Sequence, residues 1–200
     1  MGVWDELIEG IAAHWPTWLV TVTMVVAAVI DGRQLKVPNW LTFSMIISGL
    51  VYSSSVYGWT GLGASLCGAA VGLLLLLPAY AIGGMGAGDV KLLGGAGSWM
   101  YVCLESAGVP VGTATAMFHA FAVSAIVGAV LAIGMVIARR AVGKHWRQLR
   151  HIVREILTVG NPSRLAELAK ERKPRMLLLP YGIPLAIGTI GYFAWMGMLL

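Results

Sequence analysis

Three observations predict an all-α polytopic membrane protein of about six transmembrane helices, forming a single domain over residues 1–200. The chain is 58% hydrophobic and only 12% charged, whereas soluble domains carry roughly 25% charged residues. Apolar runs recur at residues 15–30, 41–57, 63–82, 92–107, 113–138 and 176–199, which is the pattern of hydrocarbon-crossing helices. All 14 Lys and Arg residues fall in three places: Arg33 with Lys36, Lys91, and the segment 139–175.

The first run ends at Asp31, which opens the stretch Asp31-Gly32-Arg33-Gln34-Leu35-Lys36-Val37-Pro38-Asn39. The first, second and fourth runs are short. The fourth is the weakest helix expectation, because Gly94, Gly95 and Gly97 lower its propensity. It follows Gly86-Ala87-Gly88-Asp89-Val90-Lys91 directly. The sixth opens on Pro180-Tyr181-Gly182-Ile183-Pro184. Glycine, at 26 residues, suits close helix–helix approach in lipid. Cys67 and Cys103 have no partner at metal-ligand spacing and read as small packing residues, so no metal site is expected. The N-terminus does not read as a cleaved signal peptide, since Asp5, Glu6 and Glu9 stand where a basic region belongs.

Charge sets the expected orientation. With six spans, the basic loops after spans one, three and five share one side, while Asp5, Glu6, Glu9 and Glu105 lie on the other. The positive-inside rule then puts the basic loops in the cytoplasm and both termini outside. Asp31 and Asp89 fall on the cytoplasmic boundary together. In the loop 139–175, Trp146, Leu149, Ile152, Val153, Ile156 and Leu157 recur at helical spacing beside Arg147, Arg150, His151 and Arg154. This predicts an amphipathic helix, either docked on anionic lipid headgroups or simply solvated. Asn161-Pro162 predicts the start of a short second helix over residues 163–172, ended by Pro174. Orientation accounts for these basic residues, so no nucleic-acid partner is expected.

An acid at the edge of a membrane span is expensive and marks a functional site. Two of them at one depth are the minimum equipment of an aspartyl protease. Paired carboxylates titrate in separated steps, so one is ionised and takes a proton from water while the other polarises a carbonyl. From the residues alone, helix capping or pairing with Arg33 and Lys91 stands beside that reading. Gly84, Gly86 and Gly88 let a substrate backbone approach Asp89. Lys91 is either an electrostatic partner of an aspartate or a topology marker. Pro180, Tyr181 and Gly182 either offer backbone groups to an extended substrate or mark a helix start. A different class, a transporter or pilus-assembly factor using both aspartates as ion sites, predicts mid-membrane acids and internal repeats. Neither is visible in this sequence.

Asp31 with Val37-Pro38-Asn39, Gly-x-Gly-Asp-x-Lys-Leu at residues 86–92, and Pro180-Tyr181-Gly182-Ile183-Pro184 resemble the signatures of the type IV prepilin peptidases, membrane aspartyl proteases of the Gly-x-Gly-Asp class. The resemblance implies Asp31 and Asp89 as the catalytic pair, beside which the residues themselves offer Gly84, Gly86, Gly88, Lys91, Pro180, Tyr181 and Gly182 as candidate substrate contacts. It implies no metal or organic cofactor, a prepilin substrate with a short basic leader, and a place in the bacterial inner membrane. The larger, bifunctional members carry paired Cys-x-x-Cys motifs associated with N-methylation. This sequence lacks them and is similar to the short peptidase-only members that serve tight-adherence (Flp-type) pili.

Overall fold

A computed structural model describes residues 10–81, 84–138 and 180–199, and the regular structure among them is entirely helical. Five elements follow in order: α1 (Trp15–Gln34), α2 (Asn39–Ala81), α3 (Ala87–Ser106), α4 (Thr113–Ala138) and α5 (Gly182–Trp195). The protein is an all-α membrane protein. Among the described residues, three helices are long and apolar enough to cross a bilayer: α1, α2 and the Thr113–Met135 part of α4. The expected helices over 146–157 and 163–172, and the acidic residues Asp5, Glu6 and Glu9, lie outside the described residues.

Pro16 sits in the first turn of α1, where its missing N–H costs nothing. The buried residues Thr17, Val20, Met24, Ala27 and Asp31 are spaced three and four apart, so they form one stripe along the helix. Val22, Val25, Val26 and Val29 face outward, the side that meets lipid. Asp31 therefore continues the inward stripe of α1. The helix closes one turn later at Leu35, whose left-handed backbone (φ 51°) aims its N–H at the Asp31 carbonyl, 2.8 Å away.

The element α2 comprises two helical arms joined at Gly58 (φ 60°, ψ −144°), a conformation reserved almost entirely for glycine. Ser53 Oγ donates to the Gly61 carbonyl across this turn at 2.8 Å. The second and third sequence runs are thus the two arms, and both pack along α3. The first arm runs parallel to α3, pairing Met45 with Gly95 and Gly49 with Ser98. The second runs antiparallel, pairing Gly68 with Gly97 and Gly72 with Leu93. Trp99 Nε1 donates to the Met45 carbonyl at 3.1 Å, and Ser65 Oγ bonds the Ser98 carbonyl.

The glycine-rich fourth run is therefore a helix after all. Residues 92–100 are buried without interruption, and a Cβ on Gly72 would sit 2.5 Å from the Leu93 carbonyl oxygen. In lipid, helices associate through such close packing rather than through hydrophobic burial. The glycines that weaken the intrinsic helix are those that let α3 nest between the arms of α2.

On the other flank, α4 and α5 run antiparallel, with His119 beside Tyr192, Ser124 against Gly188 and Gly128 against Pro184. α5 also runs antiparallel to α1: Gly182 meets Asp31, and Trp18 Nε1 donates to the Leu199 carbonyl at 3.1 Å. These pairings gather the end of α1, both ends of α2, and the starts of α3 and α5 at one end of the bundle.

Candidate active site

Both aspartates lie at that end, and both are buried: Asp31 is 3% exposed and Asp89 6%. Each helix extends further than the sequence reading drew it. Asp31 falls in the last turn of α1 rather than after it, and Asp89 in the first turn of α3 rather than before it. Each carboxylate has one oxygen held by a backbone N–H. Gly182 donates to Asp31 Oδ2 at 2.8 Å, and Gly86 donates to Asp89 Oδ2 at 3.2 Å. The Gly86 bond closes one half of a capping box, the half that needs no side chain on the N-cap residue.

The start of α5 meets the first of the two acids. Gly182 bonds Asp31 directly, and Asp89 lies in the first turn of α3 at the same end of the bundle. Gly182 is required by space, because a Cβ there would lie 2.9 Å from Asp31 Cβ and 3.0 Å from Oδ2. The double-proline stretch forms a helix start. The Pro180 and Tyr181 carbonyls accept from Ile183 and Leu185, and Pro184 lies in the first turn, where no N–H is required.

The three glycines before Asp89 serve three ends. Gly84 donates to the Ala79 carbonyl at 2.8 Å and so closes α2. Gly86 supplies the N–H for Asp89. Gly88 packs on the chain leaving α1: a Cβ there would fall 2.8 Å from the Val37 carbonyl oxygen and 3.1 Å from Val37 Cβ. Lys91 Nζ donates to Asn39 Oδ1 at 3.1 Å and lies 4.7 Å from the Phe43 ring centroid.

An apolar groove of about 380 Å³ runs outward between α1 and α5. Val25, Val29, Ala186 and Ile187 form its walls, and it ends at Gly32, Arg33 and Ile183, in the turns that carry Asp31 and Gly182. Residues at these distances along α1 and α5 give no motif, so the sequence reading had no means of finding it.

A family model described as the type IV leader peptidase family matches residues 18–135. This chain belongs to the type IV leader peptidase family. No curated protein and no solved structure matches it. The matched region contains Asp31, Val37-Pro38-Asn39 and the Gly-x-Gly-Asp segment; the Pro180–Pro184 stretch lies beyond it. Membership makes the protein a protease with a prepilin-type substrate.

Proposed function

We propose that this member is an aspartyl endopeptidase that removes the short basic leader of an Flp-type prepilin at the cytoplasmic face of the inner membrane, without N-methylating the product. The observation that carries this reading is the burial of two acids from separate helices at one end of the bundle, Asp31 held by the Gly182 N–H and Asp89 by the Gly86 N–H. Water activation by a shared-proton pair requires two such acids.

In the proposed step, the ionised aspartate takes a proton from a bound water as the water oxygen adds to the scissile carbonyl carbon. The protonated aspartate donates to the carbonyl oxygen. The tetrahedral diol then collapses: the aspartate that took the water proton gives it to the leaving nitrogen, the carbon–nitrogen bond breaks, and one diol hydroxyl returns its proton to the other aspartate. No covalent enzyme intermediate forms. The backbone donors Gly182 and Gly86 orient the two carboxylates. The apolar helix of the substrate stands in the bilayer, with its cytoplasmic end beside Asp31; the groove between α1 and α5 ends at that height.

The six helical segments alternate in direction, so Arg33, Lys36 and Lys91 lie at the aspartate end, which the positive-inside rule assigns to the cytoplasm. Exposed Trp40 at the aspartate end of the first α2 arm and Trp59 beyond its far end stand where interfacial aromatics belong. The arm from Trp40 to the Gly58 joint spans about 27 Å of helix, close to the hydrocarbon thickness. The test is cleavage of a Flp-type prepilin in membranes containing this protein, with mass spectrometry of the product. A mature pilin with an unmethylated N-terminus is expected. An uncut prepilin, or a methylated product, contradicts the reading.

A further inference from the structure

Val37-Pro38-Asn39 and Lys91 take no part in the chemistry above, yet the fold brings them together. The chain leaving Asp31 turns at Leu35 and reaches the first turn of α3 through two contacts. Val37, 3% exposed, fills the notch over Gly88. Asn39 then accepts from Lys91 Nζ at 3.1 Å, with the ammonium 4.7 Å from the Phe43 ring centroid. The two contact points on α3, Gly88 and Lys91, flank Asp89 in sequence, and all three lie in the first turns of the helix. Residues two apart on a helix do not face each other, so Lys91 reaches toward α2 along a different direction from Asp89.

We propose that Asn39 and Lys91 are positioning residues, whose hydrogen bond clamps the first turn of α3 to the chain leaving Asp31 and so fixes the placement of one carboxylate relative to the other. The proposal rests on Asp31 and Asp89 being the catalytic pair. It gives the Val37-Pro38-Asn39 stretch a reason to accompany the Gly-x-Gly-Asp-x-Lys segment: one half of the clamp stands on each. Proton sharing tolerates little change in separation, and a misplacement of about 1 Å costs on the order of 100-fold in rate. A strained or loosened clamp is expected to act on kcat rather than on substrate binding.

The experiment is a double-mutant cycle with Asn39→Ala, Lys91→Ala and the pair, in a membrane cleavage assay normalised to folded protein. Each single variant is expected to lower kcat about tenfold with KM unchanged, the size of one lost charge-assisted hydrogen bond. The pair should be no worse than either alone, and Lys91→Arg should restore most of the rate. Additive losses, or a pH–rate profile moved by Lys91→Ala and not by Asn39→Ala, would show Lys91 acting directly on a carboxylate and overturn the proposal. Unchanged kcat per folded molecule in either single variant overturns it equally. A second measurement does not depend on activity: spin labels at exposed Lys36→Cys and Ala87→Cys, in a background with Cys67 and Cys103 replaced by serine. Their distance distribution should be narrow in the parent and broaden with either Asn39→Ala or Lys91→Ala; no broadening refutes the clamp. If it broadens in a protein that cuts no prepilin, the peptidase reading has failed and the clamp has not.

Discussion

Replacing Gly182 with alanine tests the turn that holds Asp31. The added Cβ would stand 2.9 Å from Asp31 Cβ, 3.0 Å from Oδ2 and 3.2 Å from Cγ. Asp31 is a short side chain 3% exposed, so it has little freedom to yield. Either its carboxylate rotates away and the 2.8 Å bond from the Gly182 N–H breaks, or α5 retreats from α1. Loss of such a bond costs about 0.5–1.5 kcal/mol, and one extra methyl in a filled site about 1–3 kcal/mol. If the strain falls on the reacting geometry, these sum to about 1.5–4.5 kcal/mol, or a fall in kcat of about 10- to 2,000-fold. The assay is prepilin cleavage in membranes at matched levels of inserted protein. Gly191→Ala on the same helix is the control, since a Cβ there meets nothing within 4 Å. Near-parental cleavage by Gly182→Ala, or an equal loss in Gly191→Ala, would refute the reasoning.

Three further substitutions follow from the packing. Gly88→Ala puts a Cβ 2.8 Å from the Val37 carbonyl, a backbone atom that cannot swing aside. It should cost more activity than Gly86→Ala, whose nearest neighbour is Asp89 Oδ2 at 3.3 Å; the ranking of cleavage rates checks this. Gly97→Ala drives a Cβ into the Gly68 backbone and should destabilise the packing of α3 in the arms of α2 by about 1–3 kcal/mol, read as a lower midpoint of thermal unfolding in detergent. Gly58→Ala forces φ 60°, ψ −144° on a residue with a Cβ, at a cost of about 1–3 kcal/mol, and should lower the same midpoint with no direct effect on the aspartates.

The sequence revealed the acids more readily than the way they are held. Asp31 stood out because a carboxylate ending an apolar run is costly, and helical spacing back to Thr17 puts it on the buried stripe of α1. Asp89 stood out through its glycines. Charge asymmetry brought both to one side before any packing was known, and in the structure both lie at one end of the bundle. Helix ends were less legible. The Leu35 cap that extends α1 past Asp31 relies on a left-handed leucine, which no composition rule favours. The fourth run looked weak because helix propensity counts glycine as a defect, whereas here the cost is offset by contact with Gly68 and Gly72 on a neighbouring arm. The roles of Gly84, Gly88 and Lys91 were similarly hidden. Each depends on a partner, Ala79, Val37 or Asn39, that only the tertiary fold selects.

The central claim is that two aspartates from different helices act as one acid–base pair. It is tested most directly by measuring prepilin cleavage in membranes for the parent, Asp31→Asn and Asp89→Asn at matched insertion. Asparagine keeps the size of the side chain and its acceptor for the Gly182 or Gly86 N–H, and removes only the ionisable proton. The account predicts that each single substitution abolishes cleavage while the protein remains folded in the membrane. Near-parental cleavage by either variant would contradict it and make that aspartate a structural residue.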